Sequence, residues 1–123
     1  MPGKIRMKFA RGVRRKPGEM NKLEGAMAEH LKMLERSGEV AEWWFEGITL
    51  RLAKLTRYTP DFLVLMADGV LECWEVKGHW EDDARVKIKV AAEMFPLRFK
   101  AFTPRPKRDG GGWNIETFGG EVE

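Results

Sequence analysis

YTPDFLVLMADGVLECWEVKG, residues Tyr58 to Gly78, decides how this chain folds. Two runs rich in β-forming residues, Thr59 to Met66 and Leu71 to Lys77, flank Ala67-Asp68-Gly69, which has the composition of a tight turn. The spacing predicts a β-hairpin with Pro60-Asp61 at the start of its first strand and Glu75-Val76-Lys77 at the end of its second. Its chemical meaning depends on register. A two-residue Asp68-Gly69 loop sets Asp61 opposite Val76 and places Asp61 and Glu75 on opposite sides of the sheet. A three-residue loop, with Gly69 left-handed, sets Met66 opposite Val70 and Asp61 opposite Glu75, so that both carboxylates and Lys77 share a face. The three-residue loop is the expectation.

Directly opposed residues have Cβ atoms about 5 Å apart, close enough for two carboxylates to share a hard divalent cation. Two carboxylates side by side on an apolar sheet repel, and a cation together with the Lys77 ammonium holds both ionised. A cation bound by oxygens, with water positions left open and a lysine beside it, suits phosphodiester hydrolysis. It polarises the phosphoryl oxygen and activates water, while the lysine orients or deprotonates the attacking water and offsets developing charge. Gly78 follows the lysine, where backbone can approach a phosphate closely.

On these residues the chain resembles the PD-(D/E)XK nuclease superfamily, the restriction-endonuclease-like fold, and within it a phage-encoded branch similar to Holliday-junction resolvases and phage endonuclease I. The resemblance spans roughly residues 21–102. It implies an α/β fold with an αβββαβ core, a mixed sheet flanked by helices, and a Mg²⁺-dependent nuclease in which Mn²⁺ substitutes. Residue by residue it implies Asp61 and Glu75 as metal ligands, the backbone carbonyl of Val76 as a further ligand, and Lys77 as the catalytic lysine. The activity it implies is endonucleolytic cleavage of branched, Holliday-junction-like DNA. The alternatives are a nicking or restriction-like duplex nuclease or an exonuclease with the same site, and a non-catalytic DNA-binding or packaging accessory protein of the same fold.

Length and charge set bounds. At 123 residues the chain makes one domain, small for a nuclease gripping DNA alone, so a homodimer is expected. No apolar run approaches a membrane span and no signal region opens the chain, which reads as cytoplasmic, in the host cytoplasm for a phage protein. A single cysteine, Cys73, reads as core. The net charge of +3 is unevenly placed: residues 1–18 hold seven lysines and arginines and no acid, leaving −4 on the rest. This basic arm, including Arg11, Arg14, Arg15 and Lys16, is read as flexible until it binds a DNA backbone, with a solubilising tail or a piece of ordered surface as the other readings. Residues 19–103 form the expected nuclease core, and 104–123 a basic, Gly-rich extension with a short edge strand.

Helical periodicity predicts a first helix over Glu19 to Ser37, stopped by Gly38, with Met20, Leu23, Met27, Leu31 and Leu34 on its apolar arc. Glu24 lies on the buried flank of that arc, either as a surface contact or as a third site carboxylate; related nucleases commonly supply an acid from this helix, and the resemblance gives Glu24 a catalytic and metal-binding role. His30 reads as a core residue. Residues 39–55 read as strands leading into the hairpin, with Gly47 at a turn or bulge and both Trp43 and Trp44 assigned to the core, at least one of them by strand parity. A second helix is predicted over Glu81 to Phe95, with Ala84, Ile88, Ala91 and Phe95 buried and Arg85, Lys89 and Glu93 outward. Lys87 falls on the edge of the apolar arc, either reaching DNA at the site or covering the sheet edge with its stem. His79 and Trp80 sit at the mouth of the site as candidate DNA contacts, Trp80 equally as a loop residue capping the helix packing. Leu97 to Phe102 reads as the last core strand.

Overall fold

The computed structural model describes residues 18–79 and 81–119. The expected arm residues Arg11, Arg14, Arg15 and Lys16, and Trp80, lie outside the described residues.

The first helix, α1 (Lys22–Ser37), begins three residues later than periodicity predicts because Asn21 and Glu24 close a capping box. The Asn21 side chain accepts from the Glu24 N–H at 2.7 Å, and Glu24 Oε1 accepts from the Asn21 N–H at 2.9 Å. Such a cap contributes about 1 kcal/mol and fixes where the helix starts. Gly38 ends it at φ 89°, its left-handed geometry returning N–H groups to the last turn.

The chain then forms β1 (Val40–Phe45), β2 (Leu50–Ala53), β3 (Thr56–Tyr58), β4 (Phe62–Met66), β5 (Leu71–Val76), α2 (Asp82–Met94), β6 (Arg98–Pro104) and β7 (Trp113–Phe118). Five strands make one mixed sheet in the order β1-β4-β5-β6-β7, and β2 and β3 make a separate two-stranded ribbon. Within the main sheet β5 and β6 are parallel, joined through α2, and the other neighbours are antiparallel. The fold is therefore mixed α/β, with two helices and a five-stranded mixed sheet. Arg85 of α2 holds β7 through a two-pronged pair with Glu116, both bonds 2.7 Å, and so is half-buried rather than outward.

Each sheet face carries its own core, as strand alternation requires. Met27, Ala28 and Leu31 of α1 pack on Phe62, Val64, Trp74, Val76 and Phe102. On the other face Ile88 and Ala91 of α2 pack with Leu50, Tyr58, Cys73, Phe99 and Ala101. Trp43 meets Phe62 edge-on, whereas Trp44, pointing to the opposite side of β1, remains 38% exposed and is not core. Gly47 lets the chain turn away there, since a Cβ at that position would meet the Trp44 Cβ at 2.8 Å.

Residues 50–58 do not continue the main sheet as the sequence suggests. The buried Pro60 cannot donate to a ladder, so the expected strand from Thr59 begins only at Phe62, and the residues before it pair back on β2.

Candidate active site

The hairpin between β4 and β5 takes the three-residue loop. Gly69 is left-handed at φ 91°, the Met66 N–H donates to the Val70 carbonyl at 2.9 Å, and Asp68 Oδ1 accepts from the Val70 N–H at 3.1 Å. Phe62 pairs with Trp74 and Leu63 with Cys73, so one further step along the same register sets Asp61 against Glu75. Both carboxylates stand at the open end of the hairpin, on the α2 face that Cys73 shares. Asp61 Oδ2 accepts from the Val76 N–H at 2.9 Å, which ties the residue before β4 to the last residue of β5.

Glu75, buried, is gripped from two sides. Tyr58 donates its phenol to Oε1 at 2.8 Å, and the Lys77 ammonium lies 3.3 Å from Oε2. Burial pushes the Glu75 carboxyl above its ordinary range, with Lys77 and the Tyr58 hydrogen bond pulling the other way. Asp61 is raised well above the ordinary carboxylate range, first by burial and then by the neighbouring charges of Glu75 and Glu24. Burial works against the charge on Lys77, but Glu75 and Asp61 outweigh it and hold the ammonium above its usual value. Tyr58 is raised by its burial and by Glu75, and so stays a proton donor. The Cys73 thiol, buried beside Glu75 and Glu72, is pushed up to about 12 and stays neutral, as a core residue does.

Glu24, half-buried on α1, is not in contact with this group, though its charge acts on both Asp61 and Lys77. One of its oxygens is committed to the helix cap. Lys87 reaches from α2 to donate to the Arg57 carbonyl at 3.0 Å. Burial lowers its pKa, and the charges of Glu75 and Lys77 also act on it. His79 is exposed, with Nε2 4.0 Å from Glu81 and no part in the carboxylate cluster. Val76 buries its side chain in the α1 core and contributes backbone to the site.

Among the described residues no three His, Cys, Asp or Glu side chains approach closely enough to hold a metal by themselves. The donors nevertheless fit Mg²⁺, which is commonly held by one or two carboxylates and completed by waters and phosphate oxygens. Burial raises both carboxyls, and the charge of Glu75 raises Asp61 further, so a cation beside them would relieve an existing cost.

Two residues escape sequence reasoning. Tyr58 belongs to the inserted ribbon, and nothing in the spacing signals that this ribbon folds back over Glu75. Glu72 is buried on the opposite face, bonded to Trp74 Nε1 at 2.8 Å and paired with Arg98 at 3.2 Å and Lys100 at 3.1 Å. Its charge is fully matched, which marks it as part of the sheet's architecture rather than the reacting group. Two surface hollows of about 410 and 350 Å³ lie at the turn end of the hairpin, lined by Leu71 and Arg98 and by Glu39 and Lys100 respectively, away from Asp61 and Glu75.

No family model matches the chain, and no curated protein or solved structure matches it either.

Proposed function

We propose that this protein is a Mg²⁺-dependent endonuclease with a restriction-endonuclease-like core, cutting branched DNA. The observation that carries the reading is the convergence of Asp61, Glu75 and Lys77 at one end of one hairpin, with Glu24 and Lys87 directing their charges to it from the two helices. The element order supports the fold assignment: a helix, three antiparallel strands (β1, β4, β5), a second helix and a parallel strand, with β2–β3 inserted and β7 added at the edge.

A bound Mg²⁺ polarises the phosphoryl oxygen and lowers the pKa of a water, the two requirements of phosphodiester hydrolysis. Asp61 and Glu75 would hold the cation, with the Val76 carbonyl as a further oxygen donor. Tyr58 keeps Glu75 turned toward the site and favours its ionised form. Lys77, fixed by Glu75, orients the attacking water and offsets charge on the scissile phosphate. Glu24, on α1, would add negative charge to the surroundings of the site. Cutting a junction on two strands takes two such sites, so a homodimer is the working form. Among the described residues no helix is long and apolar enough to cross a membrane.

The test is cleavage of a labelled four-way junction beside a linear duplex in Mg²⁺ or Mn²⁺, with Lys77→Ala in parallel. Junction cutting that Lys77→Ala loses by a factor of about 10² or more, the scale of a lost charge-stabilising group, is expected. Equal cutting of both substrates removes the branch selectivity. No cutting by wild-type protein, with a salt-sensitive gel shift, replaces the reading with a DNA-binding accessory role.

A further inference from the structure

The β2–β3 ribbon carries a feature that the proposed chemistry does not use. Residues 48–59 contain Arg51, Lys54 and Arg57 and no acid. Arg51 and Arg57 are a directly opposed pair, and Leu50 and Tyr58, the neighbouring pair, turn inward to the α2 core. Alternation therefore puts both guanidinium side chains on the outer face of the ribbon. Neither forms an ion pair among the described residues; Arg51 makes only long contacts of 3.4 and 3.5 Å to the Ala53 and Lys54 carbonyls within its own turn. Like charges directly opposite one another destabilise a two-stranded ribbon, and a ribbon of this size has little stability to give up. The ribbon is nevertheless firmly anchored beside the carboxylates. Tyr58 bonds Glu75, Lys87 bonds the Arg57 carbonyl, and Thr49 and Thr59 join their hydroxyls at 2.7 Å across its base.

We propose that the β2–β3 ribbon is the DNA-backbone grip of this site, with Arg51 and Arg57 receiving neighbouring phosphates and Lys54 extending the contact at the tip. Paired guanidinium groups fit this role because each presents a planar fork of donors to phosphate oxygens, and a polyanion turns their mutual repulsion into shared attraction. The anchoring through Tyr58 couples the grip to the reacting group, so DNA held by the ribbon lies beside Glu75. The choice of DNA as the polyanion rests on the nuclease reading.

The test is fluorescence anisotropy of the full chain with labelled duplex and junction DNA in EDTA, where metal-dependent cleavage is silent, over a series of salt concentrations. Arg51→Ala/Arg57→Ala is expected to flatten the slope of log K against log salt by about 2, with affinity at low salt falling at least about tenfold. Arg51→Lys/Arg57→Lys, which keeps both charges, is expected to retain the slope, and matching circular dichroism spectra check the fold of both variants. An unchanged slope in the alanine variant overturns the inference, as does wild-type protein that binds no DNA. An unchanged slope leaves the cleavage reading intact, whereas wild-type protein that binds no DNA counts against both; the Lys77→Ala comparison tests cleavage separately.

Discussion

Tyr58 holds one oxygen of Glu75 while Lys77 faces the other, so a single buried carboxylate is oriented by a neutral donor and a cation together. The phenol donates to the charged form and so lowers the Glu75 pKa against the effect of burial. Tyr58→Phe removes that donor while keeping the ring that fills the α2 core. Glu75 then holds its proton to higher pH, and the acid limb of the kcat/KM profile moves upward. With Glu75 as a metal ligand, as proposed, a group that orients it typically affects activity 10- to 100-fold, so a loss of roughly tenfold near neutral pH is expected. A pH–rate profile of the variant against wild type checks this; an activity loss with an unmoved acid limb would show that Tyr58 acts through packing alone. Asp61, Glu75 and Lys77 were legible in the sequence because hairpin parity is a local property, decided by Gly69 and the three-residue loop. Tyr58 was not, because its partner lies 17 residues away across a ribbon that no local pattern announces.

At the scale of elements, β5 and β6 are pinned by a charge network on the face opposite the site. Glu72 and Arg98 are register partners in the parallel pair, and Lys100 joins from two residues further on while its ammonium lies 5.9 Å from the Trp74 ring centre. The Glu72 side chain is 2% exposed, so its charge depends on those cations. Arg98→Met/Lys100→Met strands a buried carboxylate and is expected to cost about 3 kcal/mol, measured by urea unfolding. Adding Glu72→Met removes the stranded charge and is expected to return most of the loss, since an apolar replacement of a buried ion network is often neutral or better. If the triple variant stays as unstable as the double, the cost lies in strand packing rather than in an uncompensated charge. Both helices could be read from periodicity because their buried arcs repeat over several turns. The start of α1 moved because the Asn21–Glu24 cap overrides the pattern, and the β2–β3 ribbon was misread because Leu50-Arg51-Leu52 alternates in the same way whichever strand it pairs with.

For the whole molecule, the clustered acids mean that the metal-free fold carries an electrostatic cost that varies with pH. Unfolded, Asp61 and Glu75 titrate in the ordinary carboxylate range; folded and metal-free, both keep their protons to higher pH. Between those limits the folded state binds more protons than the unfolded one, so stability falls as pH rises. The cost is absent below the ordinary carboxylate range and complete above the raised folded values. In EDTA, the melting temperature of wild type is therefore expected to drop with rising pH relative to Asp61→Asn, which lacks one of the two charges. If Mg²⁺ is held there as proposed, it is expected to bind the folded, ionised site and to reverse the loss: at ten times its dissociation constant it would add about 1.4 kcal/mol, roughly 6 °C for a domain of this size. Asp61→Asn is expected to show little of that gain. Differential scanning fluorimetry across the acid-to-neutral range, with EDTA and with Mg²⁺, measures both effects. Parallel curves for wild type and Asp61→Asn in EDTA would show that the two carboxylates do not burden the fold. A Mg²⁺ gain of equal size in both proteins would place the cation elsewhere on the surface.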